Sequence, residues 1–206
     1  MNNKKIFITF ILIFTFFISK NIYCQDNAKV YVIKKLEFQE INRWYAAYIK
    51  KAIKKASDEG ANLIILELDT PGGLLSSALS IKNYIIESDI PIVAYINKNA
   101  LSAGALISLS CEAIYMSDGS IIGAATPVYM KGGNIEKASE KEISAMRAAM
   151  RSSAERSKKN VRAAEAMVDE TIILTKPKDG IDLDDKTLLT LSLEEALKVN
   201  IADAKA

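Results

Sequence analysis

Short apolar runs that are typical of β-strands alternate with helix-like segments along this chain, and no other feature constrains its fold as strongly. Strands are predicted wherever β-branched and apolar residues concentrate, at residues 30–33, 62–69, 91–96 and 113–116. Between them, apolar residues recur at every third or fourth position, which predicts helices over residues 40–58 and 74–87. This alternation predicts an α/β fold, and no internal repeat or second domain interrupts it.

The second half of the chain predicts more helix than strand. An extended segment and a polar loop, M-K-G-G-N, are expected before helices at about 139–159 and at 161–170. The charged, turn-rich residues 175–186 predict an exposed loop. S-L-E-E at 192–195 is a capping box, so Ser192 is expected to begin a last short helix.

The N-terminal residues have the composition of a targeting segment. Lys4 and Lys5 precede an apolar, charge-free run at residues 6–18, which is shorter than a full membrane span and typical of a secretory signal. We interpret residues 1–24 as a signal peptide or an uncleaved N-terminal anchor, and residues 25–206 as one folded domain. Both interpretations predict an exported protein that is periplasmic or otherwise extracytoplasmic, and the second attaches it to the cytoplasmic membrane.

Composition excludes several classes of function. Three of the 27 basic residues and none of the 25 acidic residues lie in the first 24 positions, so the rest of the chain is close to neutral. A near-neutral body argues against nucleic-acid binding, which needs a basic surface. Because the chain has no histidine and only two cysteines, no metal site or cofactor is expected. Cys111 is predicted to be a small buried residue, and Cys24 raises a lipoprotein alternative that the neighbouring Tyr23 fits poorly.

Three features in chain order together predict catalytic chemistry. Gly72 and Gly73 follow a buried strand, Ser102 begins a short apolar helix, and Lys141 lies at the start of a later helix. Taken alone, these are a tight turn, a helix-capping serine and a solvated lysine. Acyl transfer, however, needs a nucleophile, a base and donors for an oxyanion, and these residue types supply all three.

Ser102 is placed where a helix N-terminus presents backbone N–H groups. The N–H of Ala103 would lie beside the serine hydroxyl, and a glycine without a Cβ would bring a second N–H close to the substrate carbonyl. We predict Gly73 and Ala103 as the oxyanion donors, with Gly72 as the alternative to Gly73. Because the chain has no histidine, a Ser-His-Asp triad is excluded, and a desolvated lysine can replace the histidine.

The motifs around these residues resemble a known family. L-D-T-P-G-G at 68–73, A-L-S-A-G-A at 100–105 and S-I-I-G-A-A-T-P at 120–127 are similar to the NfeD-type membrane-associated serine proteases of the ClpP/crotonase superfamily. The resemblance covers roughly residues 29–204. It implies a ClpP/crotonase-like core of repeated β-β-α units and a Ser-Lys dyad endopeptidase whose nucleophile is Ser102.

The resemblance also implies the base and the partners of the enzyme. It places the catalytic lysine at Lys141, with Lys131 and Lys137 in the preceding loop as alternatives. Glu140 and Glu142 flank Lys141 and would favour its charged form unless they point elsewhere. A homodimer or higher oligomer at the membrane surface is implied, with a hydrophobic, membrane-proximal peptide as substrate and a stomatin-like protein as a possible partner.

Two other functions are compatible with the sequence. A catalytically inactive scaffold of the same fold would bind a membrane protein partner without cleaving it. A crotonase-type enzyme would act on acyl-CoA thioesters, although an export signal argues against it because coenzyme A substrates are cytosolic. A signal-peptide peptidase is a variant of the protease hypothesis that differs in substrate and not in chemistry.

Overall fold

The computed structural model of the protein describes residues 28–35 and 40–206. The described strands are β1 (Val30–Ile33), β2 (Leu63–Thr70), β3 (Ile92–Leu101), β4 (Ala113–Met116), β5 (Ile121–Gly123), β6 (Val128–Lys131), β7 (Asn134–Lys137), β8 (Thr190–Ser192) and β9 (Ala204–Lys205). The described helices are α1 (Arg43–Asp58), α2 (Leu75–Ile86), α3 (Ala103–Leu109), α4 (Glu140–Arg156), α5 (Val161–Ala166), α6 (Lys176–Asp179) and α7 (Leu193–Lys198).

The strands of the described residues form one main sheet and a separate hairpin. Along the sheet the order is β1-β2-β3-β4-β9, and each neighbouring pair on this path is parallel. β5 continues the sheet beside the last residues of β3, and β8 pairs antiparallel with β5. β6 and β7 pair only with each other. A mostly parallel sheet with helical crossovers confirms the predicted α/β class.

The core lies between the sheet and the helices on one of its faces. Every second residue of β2 is buried, as expected for a strand with one face against the core. α1 buries the residues that recur at helical spacing on one side, Tyr45, Ala46, Ile49, Ala52 and Ala56. α3 is buried along its whole length, because it packs against β3, α2 and α4. This packing fixes the junction between β3 and α3, where Ser102 lies.

Several predicted helix boundaries are confirmed together with their caps. Asn42 accepts the N–H groups of the first turn of α1, so this helix begins at Arg43. The predicted capping box at Ser192 is present, with Glu195 as its reciprocal partner. Ser139 caps α4 with an equivalent box. The stripe Ala78, Ile81 and Ile85 is the buried side of α2, as its spacing predicted.

Three predictions differ from the structure in extent. β3 continues to Leu101, five residues beyond the predicted end, because Asn97 and Asn99 donate hydrogen bonds to Glu67 and Asp69 of β2 and tolerate the sheet environment. The predicted polar loop M-K-G-G-N lies inside the β6–β7 hairpin and supplies its turn. The helix predicted at 161–170 ends at Ala166.

The segment 175–186 is not a simple exposed loop. It contains α6, and the carboxylate of Asp179 is buried where it accepts hydrogen bonds from Arg162 and from the N–H of Thr175. Leu183 is also buried and forms a β-bridge with Leu174. The charged and turn-forming residues of this segment predicted exposure. The burial of Asp179 could not be predicted from the segment itself, because the arginine that stabilises its carboxylate lies in α5.

The predicted targeting segment is not among the residues that the structure describes. Residues 1–24, expected to form a signal peptide or anchor, lie outside the described part of the chain. Within residues 28–35 and 40–206, no helix combines the length and the apolar character that crossing a bilayer requires.

Candidate active site

Ser102 forms the turn between β3 and α3 with an unusual backbone conformation. Its φ and ψ angles are 53° and −119°, a region that residues with a Cβ rarely adopt. β3 ends at Leu101 and α3 begins at Ala103, so the chain passes from strand to helix at this one residue. A strained strand–turn–helix junction also presents the nucleophilic serine of α/β-hydrolases.

The Ser102 hydroxyl has no structural task within the described residues. It makes no capping hydrogen bond to α3 and no hydrogen bond to any other described group, although the residue is only half-buried. The backbone is held from both sides, since its N–H donates to the Gly123 carbonyl at 2.9 Å and its carbonyl accepts from Ala105 N–H at 3.0 Å. The plain capping interpretation of Ser102 is therefore wrong.

Gly72 lies directly against Ser102. A Cβ at Gly72 would stand 2.5 Å from the Cβ and 3.0 Å from the Oγ of Ser102, so only glycine fits there. The φ angle of Gly72, +114°, also requires glycine. The structure thus brings the predicted glycine turn and the predicted nucleophile together, although they lie in separate loops of the chain.

The two glycines differ in what their N–H groups do. The N–H of Gly72 donates to Thr70 Oγ1 at 3.1 Å, and its carbonyl accepts from Ile41 N–H at 2.7 Å. By contrast, the N–H groups of Gly73 and Ala103 donate to no group among the described residues. Ala103 has this free N–H because it is the first residue of a helix.

Two further glycines allow close packing behind the serine. A Cβ at Gly104 would stand 2.6 Å from Thr70 Cγ2, so α3 approaches β2 closely at its first turn. Gly123, with φ +140°, leaves no space for a Cβ because the backbone of Leu189 lies against it. These contacts explain the glycines in the S-A-G and I-I-G-A-A motifs, and they fix the backbone on which Ser102 lies.

A polar cluster anchors the end of β2, which leads into the glycine turn. Asp69 accepts hydrogen bonds from Lys35 Nζ at 2.7 Å and from Asn99 Nδ2 at 3.1 Å. Partial burial raises the pKa of this carboxyl, but the hydrogen bonds and the positive charge of Lys35 outweigh it, so the net pKa is lowered. The charged aspartate thus joins β2 to β3 and to the segment that follows β1.

Lys141 makes no hydrogen bond with Ser102 or with any other described residue. It is exposed in the first turn of α4 and forms no ion pair within the described part of the chain. Its flanking glutamates are turned to other partners: Glu142 accepts from Ser139, and Glu140 lies 3.9 Å from Arg147. Hydrogen bonds from Ser139, more than the nearby Lys141, lower the pKa of Glu142.

The alternative lysines both have acidic partners. Lys131 lies 3.7 Å from Glu136 across the hairpin, and Lys137 lies 2.5 Å from Glu170. Of the three candidate bases, Lys141 is the one without an acidic ion-pair partner among the described residues.

Sequence reasoning missed three residues that shape the site. Thr70 orients Gly72, Gly104 admits α3 against β2, and the Gly123 carbonyl fixes the Ser102 backbone. All three lie inside motifs that were recognised, namely T-P-G-G with its preceding residues, S-A-G and I-I-G-A-A. Their place in these motifs indicated that they belong to the site, but the contact that each residue makes depends on the tertiary structure.

Comparison with protein families and with curated proteins identifies the chain's relatives. The model of the NfeD1b N-terminal domain matches residues 29–206. The chain is 36% identical over 168 residues to membrane protein NfeD1b of Bacillus subtilis, covering 82% of the chain and 37% of that protein. It is 32% identical over 148 residues to the membrane-bound protease PH1510 of Pyrococcus horikoshii, covering 69% of the chain and 33% of that protein. The chain therefore spans about a third of the length of these relatives.

Solved structures confirm the predicted ClpP-like fold. A variant of 1510-N, a membrane-bound stomatin-specific protease, in which a serine is replaced by alanine is 31% identical with a TM-score of 0.72, over 86% of this chain and 79% of that one. A variant of the same protease with a lysine replaced by alanine, in complex with a substrate peptide, has a TM-score of 0.71 at 30% identity, over 86% and 75% of the two chains. ClpP1 of Listeria monocytogenes, at 19% identity over 87% of this chain and 92% of that one, has a TM-score of 0.61 and supports the fold alone.

Proposed function

We propose that this chain, which belongs to the family of NfeD1b N-terminal domains, is a serine endopeptidase that uses a Ser-Lys dyad. The observation that carries the proposal is the strained Ser102, whose unbonded hydroxyl lies against Gly72 at a strand-to-helix junction. Such strain persists only where the surrounding structure imposes it, and it is concentrated at functional sites. A capping serine needs no such conformation.

In the proposed reaction, Ser102 Oγ attacks the scissile carbonyl carbon while its proton passes to Lys141 Nζ. The carbon–nitrogen bond of the peptide then breaks, and Lys141 returns the proton to the leaving amine. A water molecule, deprotonated by the same lysine, hydrolyses the acyl group from Ser102 in the second step. The free N–H groups of Gly73 and Ala103 are the donors that we assign to the oxyanion, because the Gly72 N–H is already bonded to Thr70.

The proposed base must approach Ser102 before reaction. α4 is held by buried residues from its second turn onward, Met146, Met150, Ser153 and Ala154, whereas its first turn with Lys141 is exposed. We propose that assembly into a homodimer or higher oligomer, or substrate binding, brings this first turn over the site. Exclusion of water in the closed site then favours the neutral amine that the reaction needs.

The names of the relatives support a proposal for the substrate, and the N-terminal sequence supports one for the location. Because 1510-N is named as stomatin-specific and PH1510 as membrane-bound, we propose a hydrophobic, membrane-proximal segment of a stomatin-like partner as the substrate. We propose that residues 1–24 export the chain and that the domain works outside the cytoplasmic membrane. No nucleic acid takes part in this function.

Peptide cleavage tests the proposal. A fluorogenic peptide with an apolar core is incubated with the wild type, Ser102→Ala and Lys141→Ala, and with Lys131→Ala and Lys137→Ala as matched lysine controls. We expect the first two variants to lose cleavage by a factor of about 100 or more, and the controls to keep it. Equal cleavage by the wild type and Ser102→Ala would contradict the proposal. Binding of the peptide by the wild type without cleavage would identify the scaffold function instead.

A further inference from the structure

The exposed side of α1 is strongly basic. Residues 41–57 contain five basic residues and no acidic residue, although the domain as a whole is close to neutral. All five are exposed and lie on the side opposite the buried stripe of the helix: Arg43, Lys50, Lys51, Lys54 and Lys55. We refer to these five residues together with Trp44 as the cationic face of α1.

Much of this positive charge is uncompensated. Lys54 and Lys55 pair with Asp58 and Glu59 at 2.8 and 3.7 Å, at the last turn of the helix. Arg43, Lys50 and Lys51, by contrast, form no salt bridge with any described residue. Arg43 instead lies 5.3 Å from the centre of the Trp44 ring, and Lys50 lies 5.1 Å from that of Tyr84. The positive potential of this surface is therefore available to an anionic partner.

Trp44 stands at the N-terminal end of the same face. It is the only tryptophan of the chain, and 73% of its surface is exposed, the largest exposed fraction among the large apolar residues described. Tryptophan with an apolar body and a polar N–H is typical of the boundary between lipid and water. Basic residues beside it on a helix complement the phosphates of anionic lipids.

We propose that the cationic face of α1 binds the headgroup region of an anionic lipid bilayer, with Trp44 inserted at the level of the headgroups. This inference goes beyond the proposed protease function and does not depend on it. The lysines and Arg43 contact lipid phosphates, while the buried stripe Tyr45, Ile49 and Ala52 keeps the helix attached to the domain. The helix thus lies on the membrane surface as part of the folded domain and does not cross it.

The contacts of α1 fix how the candidate site faces this membrane. Ile41, directly before the cap of α1, donates its N–H to the Gly72 carbonyl and accepts the N–H of Leu74, both at 2.7 Å. Gly72 in turn lies against Ser102. Leu74 is 56% exposed and adds apolar surface beside the turn. A bilayer bound at Trp44 therefore contacts the helix whose N-terminal end is hydrogen-bonded to the glycine turn of the candidate site.

The connection to the N-terminal segment also brings this helix close to a membrane. Lys29 donates to the Glu59 carbonyl at 2.8 Å and its N–H donates to Asn62 Oδ1 at 2.8 Å, so the chain enters the described domain at the C-terminal end of α1. The apolar run ends at Ile18, and the nine residues 19–27 span at most about 30 Å when fully extended. While that run is in a membrane, α1 is held within reach of the lipid surface.

Fluorescence of the single tryptophan tests the proposal. The full chain is mixed with vesicles of phosphatidylcholine alone or with about a third phosphatidylglycerol, and Trp44 emission and its quenching by acrylamide are recorded. The apolar run binds both kinds of vesicle, so only Trp44 reports on α1. We expect a blue shift and reduced quenching on the anionic vesicles, and a loss of both at high salt concentration.

Paired substitutions separate this surface from general charge attraction. Lys50→Gln with Lys51→Gln is compared with Lys176→Gln plus Lys198→Gln, two exposed lysines on α6 and α7. Each lysine near an anionic surface changes binding by a factor of about 5, so the first pair is expected to lower the ratio of docked to undocked helix about 25-fold. The second pair is expected to leave it unchanged. Unchanged Trp44 emission on anionic vesicles, or equal effects of the two pairs, overturns the proposal.

Discussion

The backbone of Ser102, with φ 53° and ψ −119°, lies where a residue with a Cβ costs on the order of 1–3 kcal/mol. The hydrogen bond to the Gly123 carbonyl and the burial of α3 hold it there. Glycine at position 102 would adopt the same backbone conformation without this strain, so the fold alone does not require a serine there. A serine at this position is therefore understandable when its hydroxyl is needed for chemistry.

Substitution of Ser102 is expected to separate stability from activity. Ser102→Gly removes the steric cost of the positive φ, whereas Ser102→Ala keeps it. We expect both variants to be inactive, with Ser102→Gly more stable than Ser102→Ala by about 1 kcal/mol. Urea unfolding followed by circular dichroism measures the difference. An alanine variant at least as stable as the glycine variant would show that the backbone is not strained.

Residue identity at the site was predictable where a motif limited the choice. T-P-G-G and S-A-G identified Gly72, Gly73 and Ser102, and the structure brings Gly72 against Ser102. Which of the two glycines has a free N–H was not predictable, because this depends on Thr70, whose hydroxyl accepts a hydrogen bond from the Gly72 N–H. The position of Lys141 relative to Ser102 was not predictable either, since a helix start can be predicted but its position relative to another element cannot.

At the scale of elements, the site depends on how closely α3 approaches β2. A Cβ at Gly104 would stand 2.6 Å from Thr70 Cγ2, well inside normal contact distance. The φ angle of Gly104 is not in the positive range, so an alanine there suffers from crowding and not from its backbone. The methyl group of Thr70 is therefore the contact that sets the distance between helix and strand.

This packing predicts that a destabilising substitution at Gly104 can be compensated by a second substitution at Thr70. Gly104→Ala is expected to cost about 1–3 kcal/mol of unfolding free energy and to lower peptide cleavage, because α3 and Ser102 must shift. Thr70→Ser removes the methyl group but keeps the hydroxyl that binds the Gly72 N–H. We expect the double variant Thr70→Ser/Gly104→Ala to recover most of both losses. Strictly additive losses in the double-mutant cycle would show that this contact does not set the spacing.

The type of each element was predictable where its apolar periodicity was strong. The ends of an element were not predictable where polar residues take part in the sheet. Asn97 and Asn99 indicated a loop, but their amide groups bond to the carboxylates of Glu67 and Asp69 on the neighbouring strand. The β6–β7 hairpin was missed because Val128, Tyr129 and Ile135 are all exposed, so these positions do not follow the alternation of a half-buried strand. In both cases the pairing of strands in the folded domain decides the structure, and the local sequence pattern does not.

At the scale of the whole molecule, three aspartates join segments that are distant in sequence. Burial raises the pKa of each carboxyl, but hydrogen bonds and positive charges outweigh it and hold each pKa below its usual value. The donors are Lys35 and Asn99 for Asp69, Thr171 and Arg147 for Asp169, and Thr175 and Arg162 for Asp179. These contacts connect the segment after β1, α4 and α5 to the rest of the domain.

The lowered pKa values predict how stability depends on pH. The folded protein binds fewer protons than the unfolded chain, whose aspartates titrate near about pH 3.9. The stabilisation is therefore fully present above that pH and is lost as the pH falls through the lower pKa values of the folded state. We expect the urea midpoint to fall as the pH is lowered below about 3.9, and to fall less in Asp179→Asn. An identical acid dependence in this variant would contradict the role of Asp179.

The central claim is that Ser102 is a nucleophile and that Lys141 activates it. Trapping the acyl-enzyme measures this most directly: the protein is mixed with an activated ester of an apolar acyl group, and the modified residue is mapped by mass spectrometry over time. We predict one acyl group on Ser102 in the wild type and in Lys131→Ala, and none at this position in Ser102→Ala. Acylation in Lys141→Ala is expected to be slower by a factor of about 100 or more. An acyl group on another residue, or acylation of Lys141→Ala at the wild-type rate, would contradict the dyad.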